Sequence, residues 1–318
     1  MRKLLAACVL ALLSGAAFAQ SWPARPVRVI VGFPPGGGVD LTARLIQPRL
    51  SAALGQPVII ENRPGVGGML AAELTSNAPP DGYTLNYAVA SDLALRPWIS
   101  KVAGIDPLTQ LTPIASAVES VGCIAVSPSL GVNSMQELIE LVKRNPGKLN
   151  FSSAGVNSAH HLTGELFRMQ GIDMTHVPFG GLAPAAVAVV QGQVQVAITN
   201  IASVAAYAKD GKLRILALTR PNRFEDLPNV PTVSEALPGF SFPVAFYGFF
   251  GPPGLPQPIV ARVSADVARA LEAQDVGARF KDLSMSRIPN GPEQFTAMLR
   301  SANDIYGRIV KTAGIKPE

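Results

Sequence analysis

Three short segments of this 318-residue sequence hold the residue types that could do chemistry. All three share one form: an apolar run, then small residues, then a helix-like stretch. The first is Phe33-Pro34-Pro35-Gly36-Gly37-Gly38-Val39-Asp40, which follows the run Val27 to Val31. A strand, a Pro/Gly loop and a helix in that order present free backbone N–H groups at a helix N-terminus. There, hydrogen bonding and the helix dipole both favour an anion, and Gly36, Gly37 and Gly38 let a ligand approach the main chain closely. A plain tight turn accounts for the cluster equally well, and Asp40 reads as an N-cap or first-turn carboxylate. The second segment, Ser152-Ser153-Ala154-Gly155-Val156-Asn157-Ser158-Ala159-His160-His161, offers small donors that again suit a carboxylate. The third is Phe179-Gly180-Gly181, with Pro184 near a helix start. Facing loops of this kind imply a cleft between two lobes.

Rival chemistries find little support. No Gly-Lys-Ser/Thr follows the first cluster, and it lacks the G-x-G-x-x-G dinucleotide pattern. His161 and Glu165 are i, i+4 neighbours, but His160 and His161 point about 100° apart on a helix and form no two-ligand face. No metal or cofactor is therefore expected. Ser153 or Ser158 beside a histidine imitates a hydrolase, yet there is no G-x-S-x-G elbow. Capping explains both serines better. Phe246-Tyr247 and Phe249-Phe250 read as core, with one ring free to line the cleft.

The elements that must position these segments alternate short apolar runs with helix-like stretches, the pattern of an α/β protein with mainly parallel strands. Strands are expected at Val27 to Val31, Val58 to Ile60 and Tyr83 to Val89, with a helix from Asp40 to Leu54 that Pro48 should kink or interrupt. Val121 to Val126 opens a second unit. An amphipathic helix from Ser134 to Lys143 follows, then strands at Leu149 to Phe151, Met174 to Val177, Val194 to Thr199 and Leu213 to Thr219. Phe246 to Phe250 returns the chain to the first unit, and Gln257 to Ala273 and Pro292 to Lys311 are helical.

Composition narrows the class. Hydrophobic residues make up 48% and charged residues 15%, against about 25% charged in an ordinary soluble domain, so disorder is excluded and the length suits two domains. The formal charge of +5 carries no basic run, which excludes a nucleic-acid partner. Arg2 and Lys3, the apolar run Leu4 to Leu13 and Ala17-Phe18-Ala19 read as an export leader cleaved after Ala19. The run is too short to span a bilayer, which takes about 20 residues. Leu5-Ala6-Ala7-Cys8 is similar to a lipoprotein box, but cleavage there would leave almost no hydrophobic region. Cys123 is then the one remaining thiol, read as buried and structural.

Taken together, the segments resemble the receptors of the tripartite tricarboxylate transporter family, the Bug-type periplasmic solute-binding proteins. The resemblance runs through Trp22-Pro23-x-Arg25-Pro26, Phe33 to Asp40, Glu61-Asn62-Arg63-Pro64-Gly65-x-Gly67-Gly68 and Pro80-Asp81-Gly82-Tyr83-Thr84-Leu85. It continues through Ser153-x-Gly155, His161-Leu162, His176-Val177-Pro178-Phe179, Pro228-x-Val230-Pro231-Thr232 and Gly251-Pro252-Pro253-Gly254. It implies an α/β fold of two Rossmann-like lobes joined by crossing strands, the type II periplasmic binding protein or Venus-flytrap. After a leader of residues 1–19, lobe 1 would comprise residues 20–120 plus 245–318 and lobe 2 residues 121–244. Hinge strands would lie near Val118–Cys123 and Ala245–Phe249.

The resemblance further implies that backbone amides, small hydroxyls and ordered waters grip one carboxylate. It places Phe33, Pro35, Gly36, Gly37, Gly38, Asp40 and Ser91 of lobe 1 at the ligand. From lobe 2 it adds Ser153, Ala154, Asn157, Ser158, Phe179, Gly180, Thr199 and Asn200. The implied partners are a small organic carboxylate and membrane permease subunits, with the receptor a monomer and no enzyme. A ligand-sensing receptor and a periplasmic hydrolase are the alternatives. The chain departs from the family where Phe179 and Gly180 replace the usual Tyr and Lys, Asn157 a glycine and Phe246 a tryptophan. These losses shift the expectation from citrate-like ligands toward monocarboxylates, aromatic acids or amides.

Overall fold

The computed structural model describes residues 22–100 and 105–317, so the leader and its cleavage site after Ala19 lie outside the described residues. The chain opens with three parallel strands, β1 (Val27–Val31), β2 (Val58–Asn62) and β3 (Thr84–Val89). Helix α1 (Gly38–Leu54) joins β1 to β2 and α2 (Met69–Ser76) joins β2 to β3. Helix α3 (Ala90–Ile99) then leads to β4 (Thr112–Ser120). The apolar run of β1 is buried on both faces, as a parallel strand covered by helices must be.

From Ser120 the chain passes through Val121 alone into β5 (Gly122–Val126), the first strand of a second sheet. There follow α4 (Met135–Arg144), β6 (Asn150–Ser153), α5 (Ala159–Met169), β7 (Thr175–Pro178), α6 (Leu182–Val190), β8 (Val196–Asn200), α7 (Ile201–Lys209) and β9 (Arg214–Leu218). The strand order is β7-β6-β8-β5-β9, with β6 parallel to β7 and β8, and β5 antiparallel to both of its neighbours. After the short α8 (Val233–Ala236), β10 (Ala245–Gly251) re-enters the first sheet. Helices α9 (Gln257–Glu272) and α10 (Gln274–Asp282), strand β11 (Met285–Arg287) and helix α11 (Pro292–Ala313) complete the chain. The first sheet reads β11-β4-β10-β3-β1-β2, and β10 runs antiparallel to β3 and β4 on either side.

Each sheet has apolar packing on both faces. Along β10 the side chains alternate, so Phe246 and Phe250 join Phe295 and Tyr306 of α11, while Tyr247 and Phe249 join Tyr87 under α1 and α9. Gly248 lies between them because a β-carbon there would strike the Phe295 ring and the Ala115 carbonyl.

Two expectations change. Helix α1 runs on through Pro48 without a break, because Ile46, Leu50 and Leu54 anchor the turns around it against the sheet. Strand β4, with the sequence Thr-Pro-Ile-Ala-Ser-Ala-Val-Glu-Ser, carries no strand signal of its own. Its small side chains suit a strand buried between β10 and β11, where neighbours rather than propensity decide.

Candidate functional site

Where the strands of the two sheets end, a cavity of about 180 Å³ opens between them, the position at which open α/β sheets take ligands. Four helices begin on its wall. Val89 is the N-cap of α3, Ser158 of α5 and Asn200 of α7, while Leu182 is the first residue of α6; all four line the cavity. The first N–H groups of a helix have no partner within it, and the aligned peptide dipoles add partial positive charge there. Among the described residues lining the cavity there is no lysine or arginine. Anion binding here thus falls to the main chain and hydroxyls. A larger groove of about 680 Å³ beside α7 and β9 is mainly apolar and has no such convergence.

Side chains fix the helix starts. The Ser158 hydroxyl accepts from the His161 amide at 3.2 Å and donates to the Gly155 carbonyl at 2.8 Å. Asn200 Oδ1 accepts from the amide and the hydroxyl of Ser203, at 3.0 and 2.7 Å. Its Nδ2 donates to Ser120 Oγ at 3.0 Å, a bond from the second sheet to the end of β4 in the first. Asn157 adopts φ 59°, and asparagine is among the few residues that tolerate this left-handed backbone, so it can occupy a position otherwise suited to glycine.

The cavity has a definite electrical character. Asp92, in the first turn of α3, is half-buried on its wall, and burial pushes its carboxyl up to about 6 despite the charge of Arg96. His160 is pushed down to about 4 by burial, so its ring is neutral near pH 7. Burial likewise raises the Tyr247 phenol to about 12, keeping it a hydrogen-bond donor. Thr199 is 1% exposed, and its buried hydroxyl has no hydrogen-bond partner among the described residues.

Of the residues singled out in the sequence, Ala154, Ser158, Thr199 and Asn200 line this cavity. Ser91 lies one position from Asp92 but is fully buried, beside the Tyr306 phenol. Phe33, Pro35, Gly36, Gly37 and Gly38 do not line it, although a β-carbon on Gly38 would fall 3.7 Å from the hydroxyl of Tyr247, which does. Asp40 is 1% exposed and bound internally, accepting from the Gly36 amide at 2.9 Å, Arg44 Nε at 3.0 Å and Asn62 Nδ2 at 2.8 Å. Burial would raise its carboxyl, but these three donors together hold it below the usual carboxylate range. Asp40 therefore shapes the loop rather than facing the cavity. Phe179 packs on the apolar core of the second sheet, and Gly180 is exposed. Phe246, 1% exposed, is core, and Tyr247 is the aromatic of β10 that reaches the cavity.

Sequence reasoning does not single out Asp92, His160 or Tyr247 as site residues. Helix α3 has no glycine-rich lead to mark its start; the signal available is position, because residues just past a strand end face the cleft. Ser153 also needs correction. It caps no helix: its hydroxyl lies 2.6 Å from His176 Nε2 and 3.1 Å from the Gly155 amide. The His176 ring stacks on His161 at 4.1 Å and on Phe151 at 4.9 Å. Desolvation, the neighbouring His161 and, in opposition, Glu165 bring His176 down to about 4. Ser153 is fully buried, so this Ser–His contact holds a loop and offers no accessible nucleophile.

Two mixed α/β sheets facing one another across a cavity at their strand ends define a two-lobed binding protein of the type II periplasmic class. Comparison with known proteins carries this further. The model of the family described as "Tripartite tricarboxylate transporter family receptor" matches residues 42–315, and the chain belongs to that family. A UPF0065 protein of Bordetella bronchiseptica is 34% identical, covering 99% of this chain and 93% of its own length. Among solved structures, the periplasmic binding protein BugD is 28% identical with a TM-score of 0.78, over 93% of this chain and all of its own. A protein of R. palustris solved with adipate is 30% identical with a TM-score of 0.81, again over 93% of this chain and all of its own.

Proposed function

We propose that the protein is a periplasmic receptor that captures a small organic carboxylate in the cavity between the sheets and presents it to the membrane permease of a tripartite transporter. One observation carries the reading: four helix N-termini converge on a single cavity with no lysine or arginine among the described residues of its wall. Such a wall holds a carboxylate by main-chain amides and hydroxyls. The related structure solved with adipate supports the same chemical class.

The ligand contacts in this reading come from Ala154, Ser158, Thr199 and Asn200 on the cavity wall, joined on closure by the turn at Ser91 and the Phe33–Gly38 loop, which lie off that wall before the lobes close. Residues 20–120 with 245–318 form one rigid lobe and residues 121–244 the second. The short passage at Val121 and the start of β10 act as the hinge. Closure buries the ligand and creates the surface that the permease recognises. In this reading the leader of residues 1–19 sends the chain to the periplasm, where it acts as a monomer without turnover; the buried Ser153 supplies no accessible nucleophile for the hydrolase alternative.

Native mass spectrometry of the mature protein, as purified and again after unfolding and refolding, tests this reading. A small additional mass that refolding removes, and that fragments as a carboxylic acid, is the expected result. A bound species without a carboxylate overturns the proposal. So does a thermal-shift screen of organic acids in which none raises the melting temperature.

A further inference from the structure

The inter-sheet cavity is asymmetric in charge. Among the described residues lining it, Asp92 alone carries a formal charge at neutral pH, because burial keeps His160 neutral. Among the described residues its carboxylate makes no hydrogen bond and no ion pair within 4.0 Å. Arg96, one turn further along α3, moderates it without pairing, and Tyr247 of β10 and Tyr306 of α11 are the other titratable groups that sense it. The half-buried carboxylate is thus turned to the cavity without a protein partner, where a ligand cation would meet it at less cost in lost hydration than in bulk water. Across the cavity stand the starts of α5, α6 and α7, together with the Thr199 hydroxyl, which is almost completely buried and also unpartnered. One wall thus suits an anion, and the other presents an anion awaiting a cation.

We infer that the cavity accepts a small zwitterion, an acid bearing a protonated amine, with Asp92 receiving the ammonium while the opposite wall and Thr199 hold the carboxylate. The inference rests on the carboxylate-receptor reading above and adds the second functional group. It disfavours dicarboxylates, whose second carboxylate would meet Asp92 with no cation between them. A bland role exists for Asp92, since a carboxylate in a first helical turn stabilises the helix dipole. That role predicts no effect on ligand choice.

The test offers refolded protein an equimolar mixture of the common α-amino acids, 4-aminobutanoate, butanoate, succinate, malate and adipate, with the retained species read by native mass spectrometry. The expected result is capture of an amine-bearing acid, bound at least about tenfold more weakly by Asp92→Asn. In the parent protein its affinity should fall as pH drops through about 6, and in the variant that pH dependence should vanish. Capture of butanoate or of a dicarboxylate instead overturns the zwitterion inference and leaves the receptor reading standing. Equal capture of the amine by parent and variant assigns Asp92 to the helix dipole and also overturns it. Capture of nothing overturns both.

Discussion

Asp92 and Thr199 leave polar atoms unpaired in the ligand-free protein, and each predicts a measurable imbalance. The folded-state value of Asp92, about 6, lies above that of an exposed aspartate, near 3.9. The folded protein therefore holds this proton more tightly than the unfolded chain does. Its contribution to stability is favourable at low pH and fades as pH rises through about 6. Asp92→Asn should accordingly stabilise the ligand-free protein by about 1–2 kcal/mol at pH 7 and by almost nothing at pH 4, as read from urea melts at both pH values. Thr199→Val removes an orphaned hydroxyl at constant shape, so stability should hold or rise by about 1 kcal/mol. Ligand affinity should fall about tenfold in the same variant by titration calorimetry. Thr199 enters the sequence reading only through the family resemblance, and Asp92 not at all. A lone Asp or Thr is common, and only the fold reveals that it lacks a partner.

At the level of elements, the loop from Phe33 to Gly38 shows how a motif can be legible while its purpose is not. The strand, loop and helix appeared where expected, because apolar periodicity and glycine clusters are local signals. Asp40, by contrast, is tied to Gly36, Arg44 and Asn62, the last of which lies on β2, and no local pattern foretells that partner. Asp40→Ala would strand three donors and should destabilise the protein by about 2–4 kcal/mol in thermal or chemical melts. Gly37 is different. A β-carbon there meets only the Pro34 carbonyl at 3.6 Å, and its backbone has ordinary extended angles. Gly37→Val should therefore melt within a few degrees of the parent yet lose ligand affinity if the loop closes on the ligand; unchanged affinity removes the loop from the site. Strand β4 and helix α3 escaped sequence reading for a shared reason. Each contains a proline, Pro113 in β4 and Pro97 in α3, and lacks a clear apolar periodicity, so both acquire their form from the β10, β11 and α11 surfaces against which they pack.

Over the whole molecule, the two halves are joined by packing as well as by polar bonds: Ala159 and Leu162 of α5 enter the core around Phe295 and Tyr306 of α11, and Lys281 pairs with Asp226 at 2.9 Å. Besides the Asn200–Ser120 bond, Glu119 near the end of β4 pairs with Arg220 just beyond β9, Nε to Oε1 at 3.2 Å. Burial raises the Glu119 carboxyl while Arg220 opposes the rise. Arg220→Met would leave Glu119 buried without its cation and should lower stability by about 3–5 kcal/mol. The loss should shrink on acidification, as protonation of Glu119 removes the uncompensated charge; melts at pH 7 and pH 5 would separate the two. The fold class was legible at this scale because the order of apolar runs along the chain already encodes two α/β units. The cavity was legible only in part, since half of its wall comes from residues with no sequence neighbour in common.

The central place of β10 in the first sheet also dictates an order of assembly. Strands β3 and β4 are not neighbours; the slot between them is filled by residues 245–251, made after the whole of the second sheet. Until that late segment emerges, the first sheet is a ribbon of β3, β1 and β2 with a solitary β4, whose other partner β11 is made later still, whereas the second, contiguous from Gly122 to Leu218, has every strand it needs. A nascent chain of this design cannot complete its first sheet before synthesis is nearly finished, so the half of the molecule that is made first is the last to close.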